Sequence, residues 1–225
     1  MPTISPTKSF RDRLARLDTG VVSDALDRLR LFGVVTGIHR LSTDRAIAGR
    51  VVTVKLERPD GRVPDHHNGT LAIEAAQPGD VIVIEQRALP EGAGWGGILS
   101  FAAKLRNVAG VIVDGPCRDI DESNSVDFPV YGRSAAPLTA RGRVVETGFN
   151  VPVQIGSVTV RPGDWVLADG SGVAFLAAAN AERILAAAEE LAAKERAMIA
   201  AIRAGTPVSK VMAGNYERML QDGSE

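Results

Sequence analysis

The segment from Gly110 to Asp119, GVIVDGPCRD, constrains this chain more than any other part of it. Val111, Ile112 and Val113 form a short apolar run of the kind that lies buried in a sheet, and the run empties through a Gly-Pro turn into adjacent Arg118 and Asp119. A strand end holds side chains rigidly. Arg118 can take a planar carboxylate through two parallel hydrogen bonds, and Asp119 offers a hard oxygen to a cation such as Mg²⁺. An arbitrary Arg-Asp dipeptide is an ion pair or a helix cap, but this position at a strand end makes the two residues the candidate catalytic pair.

With 225 residues the chain is long enough for one substantial core, and residues 1–225 read as a single domain with tails at 1–9 and 214–225. Hydrophobic residues at 45% and charged residues at 24% exclude disorder as a description of the whole. The net charge of −1 names no partner. Scattered Arg and Lys with only 4% aromatics give no stacking, basic surface for nucleic acid. No run of about 18 apolar residues occurs, so no membrane helix is expected, and the N-terminus lacks the pattern of a secretion signal. A single cysteine, Cys117, forms no internal disulfide and fits a reducing, cytoplasmic setting.

Segment Arg11 to Arg30 carries Leu14, Leu17, Val21, Val22, Ala25 and Leu29 at helical spacing, with Asp18 as a cap dividing it into two helices. GRVVTVKLE from Gly49 reads as a strand, and LAIEAAQPGDVIVIE as a helix, a turn and a strand. A glycine-rich loop from Gly92 leads into an Ala/Leu helix before the signature strand. Beyond Asp119 come a short polar helical stretch, the strands FPVYGR and RGRVVETG, the short β runs VPVQIG, VTVRPGDWVLAD and SGVAFLA, and a long helix from about Ala178 to Ala204. Helices at both ends of a central mixed sheet give a layered α+β, or β/β/α, architecture.

Gly92, Gly94, Gly96 and Gly97 surround Trp95 at the start of a helix, where bare backbone lets a ligand approach and free N–H groups favour an anion. Such turns are often only turns; Arg118 on the next strand raises the functional reading. Glu122 shares a helical face with Asp119 and reads as a solvated acid or a helper near a metal. On the last helix Ile184, Ala188, Leu191, Ile199 and Ile202 form a stripe that contains Glu195, and a carboxylate on a buried seam must meet a metal, an Arg or another subunit's site. His66 and His67, as neighbours on an extended chain, point apart and read as loop residues. Asp114 and Cys117 read as structural, and Lys104 is the one lysine placed to be considered for a Schiff base.

These residues resemble the RraA-like family, which includes class II 4-hydroxy-4-methyl-2-oxoglutarate/4-carboxy-4-hydroxy-2-oxoadipate aldolases and regulators of ribonuclease activity. The likeness runs through VVSDALDRL, IAGRVVTV, AAQPGDVIVIE, GGILSFAAKLRNVAGVIVDGPCRD, FPVYGR and VTVRPGDWVLADGSGVAFL. It implies a β/β/α swivelling-domain-like fold, a homotrimer or homohexamer, and a divalent cation, Mg²⁺ or Mn²⁺, as the cofactor. Arg118 is then expected to bind the carboxylate and keto oxygens of pyruvate, Asp119 to ligate the metal, and the backbone of Gly96, Gly97, Ile98 and Leu99 to meet the substrate. Glu195 is expected to reach a neighbouring subunit's metal waters. One position departs from the pattern: aldolase members carry an acidic residue where this chain has Gly97. The implied reaction is cleavage of a 4-hydroxy-2-oxo acid to pyruvate and a second oxo acid, with oxaloacetate decarboxylation as a side activity. The alternatives are a non-catalytic regulator acting through protein binding and a Schiff-base aldolase using Lys104.

Overall fold

A computed structural model describes residues 9–87 and 92–213. The expected tails fall almost wholly outside those bounds, except that Ser9 already belongs to the fold, its side chain accepting from the Asp12 amide at the start of the first helix. In chain order the elements are α1 (Phe10–Leu14), α2 (Thr19–Arg28), β1 (Val34–Val35), β2 (His39–Arg40), β3 (Ile47–Glu57), α3 (Thr70–Ala75), β4 (Val81–Gln86), α4 (Gly97–Leu105), β5 (Gly110–Val113) and β6 (Pro116–Cys117). There follow α5 (Ile120–Ser125), β7 (Val130–Gly132), β8 (Ser134–Ala135), β9 (Val145–Phe149), β10 (Val153–Ile155), β11 (Val158–Val160), β12 (Trp165–Ala168), β13 (Val173–Leu176), α6 (Ala181–Arg203) and α7 (Val208–Val211).

The main sheet runs β1-β13-β12-β3-β4-β5-β7-β2, with β9 joined to β3. Strands β3, β4, β5 and β7 are parallel, and β12, β13, β1, β2 and β9 meet their neighbours antiparallel. Strand β3 makes this mixture feasible by its length: its first residues pair with β12, its later ones with β9, across a register shift at Lys55/Leu56. The central strands β4 and β5 are apolar runs buried on both faces, as a parallel strand covered on two sides requires.

The sheet curls around an interior of Val35, Ile47, Val83, Ile112, Tyr131 and Phe175, which the β10–β11 hairpin also lines through Val153 and Ile155. A second cluster lies under α3 and α4 and includes Ile82, Ile84, Trp95, Leu99 and Phe128. A third joins α1, α2 and α6 to β12 and β13 through Leu14, Leu26, Leu167, Ile184 and Leu185. Asp18 caps α2 as its sequence position suggests, its Oδ1 accepting from the Val21 amide at 2.9 Å. Arg13 ties α1 to α6 through Glu182 and Glu189. No described helix is long and apolar enough to cross a membrane.

Helix α6 departs from the expected stripe. Ile184, Ala188 and Leu191 are buried, but Ile199 and Ile202 are 49% and 41% exposed. The seam therefore runs off the edge of the protomer.

Candidate active site

Strand β5 delivers the chain to the turn at Asp114 and Gly115, β6 carries it past buried Cys117, and Arg118 and Asp119 emerge at the mouth of a cavity of about 300 Å³. Asp114 locks the turn by accepting from Arg133 Nε at 2.7 Å and the Gly156 amide at 2.8 Å, a structural role in keeping with its sequence reading. Cys117 is likewise structural: burial pushes its thiol well above the usual range. The Arg118 amide donates to the Trp95 carbonyl at 3.0 Å, which fixes the β6 end against the glycine-rich loop.

Arg118 and Asp119 are an ion pair, Nε to Oδ2 at 3.1 Å, and both line the cavity. This pairing leaves the two terminal nitrogens of Arg118 without another partner among the described residues. The same Oδ2 accepts from the Gly97 amide at 3.0 Å, so Asp119 is held by the first N–H of α4. Asp119 itself sits in the left-handed region at φ 56 and ψ 44, a conformation that Asp tolerates better than most residues. Its Oδ1 has no partner among the described residues.

Behind the pair lies a buried hydroxyl relay. Trp95 Nε1 donates to Ser100 Oγ at 2.9 Å, Ser100 and Ser123 hydroxyls stand 2.8 Å apart, and Ser123 Oγ donates to the Asp119 carbonyl at 3.1 Å. The relay joins α4, α5 and the Asp119 backbone, while the Trp95 ring stacks on Phe128 with centroids 6.1 Å apart. Burying such a ring stabilises the fold by about 3 kcal/mol and leaves the loop little freedom.

Gly96, Gly97, Ile98 and Leu99 all line the cavity, as expected. Their amides are not equivalent: Gly97 spends its N–H on Asp119, which leaves Ile98 and Leu99 at the open end of α4 without a helical acceptor. A Cβ on Gly96 would stand 2.8 Å from Asp119 Oδ2, so the close approach of carboxylate to backbone needs glycine there. Glu195 does not line this cavity. It stands on α6 toward Asp18 and Asp24 of α2, and burial followed by those two negative charges raises its carboxyl above the ordinary range. It has no hydrogen-bond or ion-pair partner among the described residues. Lys104 is turned elsewhere, its Nζ bonded to the Asp127 carbonyl at 2.7 Å and to Oδ2 at 3.0 Å, so it is not placed for a Schiff base in this cavity.

The sequence reading missed the opposite wall. His66 and His67 both line the cavity, and His66 lies between Asp65 at Nδ1 and Glu146, whose Oε1 is 3.4 Å from Nε2. The Glu146 side chain is only 3% exposed and accepts from the Gly69 amide at 2.7 Å. Burial lowers the His66 pKa, but hydrogen bonds to Asp65 and Glu146 and their charges outweigh it, so the net shift is upward. The pairing of β9 with β3, Leu56 opposite Glu146, brings Glu146 to this histidine, which precedes it by 80 positions; no local pattern announces it.

Carboxylate oxygens with a free lone pair suit a hard divalent cation. Among the described residues no three His, Cys, Asp or Glu side chains come together in a metal-holding group, so a cation on Asp119 would draw on waters or a further chain.

Comparisons with known proteins bear on the family and the fold. A protein of Halalkalibacterium halodurans provisionally named 4-hydroxy-4-methyl-2-oxoglutarate aldolase is 31% identical over 193 residues, 86% of this chain and 88% of that protein. Protein DlpA of Legionella pneumophila is 29% identical over 161 residues, 72% of this chain, but the chain spans only 26% of DlpA's length. Among solved structures, an uncharacterised protein from Pseudomonas syringae pv. tomato superposes with a TM-score of 0.82 at 27% identity, covering 92% of this chain and 99% of that one. Streptomyces coelicolor RraAS2, described as an unusual member of the RNase ES inhibitor RraA protein family, has the same fold at a TM-score of 0.72 and 24% identity, over 87% and 98% of the two chains. The family model described as Aldolase/RraA matches residues 19–175, and the chain belongs to the RraA-like family.

Proposed function

We propose that the protein is a divalent-metal-dependent lyase that cleaves a 4-hydroxy-2-oxo acid between C3 and C4 to give pyruvate and a second oxo acid. The observation that carries this reading is Arg118, held through Nε by Asp119 with its terminal nitrogens unpaired at the mouth of the cavity. Those nitrogens match the carboxylate and keto oxygen of a 2-oxo acid, and they stabilise the negative charge that grows on the keto oxygen as the bond breaks. The amides of Ile98 and Leu99 add partial positive charge at the end of α4. A cation on Asp119 supplies Lewis acidity toward the same oxygens. Trp95 and the Ser100–Ser123 relay hold Asp119 in place so that little reorganisation accompanies the reaction. Loss of CO₂ from oxaloacetate develops charge at the same keto oxygen, which makes it the natural side activity.

The site is proposed to be completed by a second copy of the chain. Ile98, Phe101 and Leu105 form one face of α4, 85%, 54% and 69% exposed, and Ile98 borders the cavity. The distal half of α6 offers a matching apolar face, Ile199 and Ile202, beside an unpartnered carboxylate, Glu195. Seating that face on α4 of the next copy covers both surfaces and brings Glu195 toward Asp119, whose own protomer lacks a third donor. A head-to-tail contact of this kind closes into a ring, a trimer or a pair of trimers.

Pyruvate release from 4-hydroxy-2-oxo acids and from oxaloacetate, followed by a lactate dehydrogenase couple, tests the reading. Release that stops in EDTA and returns with Mg²⁺ or Mn²⁺ is expected. No pyruvate from any of these substrates, or release indifferent to chelator, rejects it.

A further inference from the structure

A second cavity, of about 370 Å³, lies at the other end of the parallel strands from Arg118. Strands β3, β4, β5 and β7 all enter the sheet there, each preceded by a residue of the cavity wall: Ala46, Gly79, Ala109 and Pro129. Three cations from three parts of the chain line it, Arg11 on α1, Arg45 ahead of β3 and Lys104 in the last turn of α4, and no Asp or Glu among the described residues does. Arg11 is fixed by its Nε, which donates to the Ala48 carbonyl at 3.1 Å, and its guanidinium passes so close over Gly79 that a Cβ there would stand 2.2 Å from Nη1. Both of its terminal nitrogens are without a partner among the described residues. Arg45 and Lys104 share one acid, Asp127, at 3.3 and 3.0 Å. That carboxylate offsets one charge of the two, so one of them and Arg11 stay unneutralised. Ile47, Ala48 and Val108, all buried, give the same cavity an apolar wall.

We infer that this cavity is a second ligand site, built for a small dicarboxylic acid. The free edge of Arg11 offers two parallel N–H donors to one planar carboxylate, and Arg45 Nη1 with the remaining ammonium proton of Lys104 takes the other. The aliphatic chain between the two carboxylates rests on the apolar wall. A ligand with a single carboxylate satisfies one pole and leaves the other cations unpaired. A cleft lined by charge of one sign concentrates anions from solution, and the volume falls within the range of small-molecule sites, about 300–1,000 Å³. The inference does not rest on the function proposed above, since the two cavities share no wall residue.

Calorimetric titration of the full-length protein with glutarate, in phosphate-free buffer, tests the inference without reference to turnover. Saturable binding of one glutarate per chain is expected in the wild type and, unchanged, in Arg118→Ala, where the first cavity has lost the guanidinium beside Asp119. Arg11→Gln should weaken glutarate about 10- to 100-fold, the worth of a charge-assisted hydrogen bond. Because Arg11 also ties α1 to β3 through Ala48, a second variant leaves that bond alone: Ala46→Glu sets a carboxylate at an exposed position of the wall and should weaken glutarate by about 10-fold or more. Butyrate, with one carboxylate, should bind about 10-fold or more weakly than glutarate. No saturable glutarate binding overturns the inference, as does binding that Arg118→Ala removes while Arg11→Gln and Ala46→Glu keep it. Butyrate or inorganic phosphate that binds as tightly as glutarate overturns the assignment to a dicarboxylic acid.

Discussion

Two helices of this molecule bear apolar faces that the described residues leave open, and they are open for different reasons. Helix α4 is short and packs over Trp95 and Leu99, with its N-terminal turn bent to the service of Asp119; its outer face is Ile98, Phe101 and Leu105, of which Ile98 borders the cavity. Helix α6 is 23 residues long and carries its stripe past half-buried Glu195 to exposed Ile199 and Ile202. One surface has an anion grip and lacks a donor, and the other has a carboxylate pushed toward its neutral form and lacks a cation. A protein that kept only the first would be a pocket; a protein that kept only the second would have an acid set beside apolar residues at a cost. Their coexistence is what the proposed function uses: on that reading the protomer supplies half of a site.

The hardest blow to that comparison falls on α4's side. Arg118→Ala removes the guanidinium paired with Asp119 at the mouth of the cavity, and pyruvate release should drop by about 10²- to 10³-fold, with the melting temperature preserved because the side chain is part-exposed. A variant within a few-fold of wild type in kcat/KM would show that another group binds the 2-oxo acid. The α6 side is tested next. Glu195→Ala should lower turnover by about 10- to 100-fold, and the two inactive variants should rescue each other when their subunits are exchanged. In a random ring about one interface in four joins an intact Arg118 to an intact Glu195, so about a quarter of the wild-type rate is expected from an equal mixture. Mixtures no more active than their parts would place Arg118 and Glu195 in unrelated roles.

How much of this was legible beforehand depends on distance along the chain. Asp18 as a helix cap, β5 as a buried strand and Arg118–Asp119 at its end are local facts, set by side chains within a few residues of one another, and the sequence pattern carried them to the right place. The resemblance supplied what local patterns do not, the roles expected of the pair. Glu122 was read as a solvated acid or a helper near a metal, and nothing in its own turn says that Gly97, 25 positions earlier, leaves room for it. His66 was set aside for the same reason, its partner Glu146 arriving on β9. The α6 stripe failed in the opposite sense: the periodicity is real, but periodicity reports that a face is apolar, and only tertiary packing decides that Ile199 and Ile202 stay largely uncovered by the described residues.

The gentlest test separates an acid waiting for a partner from an acid that merely sits on a surface. Burial, with Asp18 and Asp24 behind it, raises the Glu195 carboxyl, so in the protomer without metal its charged form is disfavoured relative to the unfolded chain. The stability this group contributes is complete below the ordinary carboxylate range and is lost as pH climbs through its raised folded-state value. At neutral pH in EDTA, Glu195→Gln should therefore melt slightly higher than wild type, by on the order of 1 °C given the partial exposure, and the difference should vanish below about pH 4. With Mn²⁺ present and the ring assembled, the sign should reverse, because the carboxylate then faces a cation and the amide cannot replace its charge. Differential scanning calorimetry at the two pH values, with and without Mn²⁺, reads all four conditions. A glutamine variant that behaves identically in each would leave Glu195 as an ordinary surface acid and would detach α6 from the chemistry at α4.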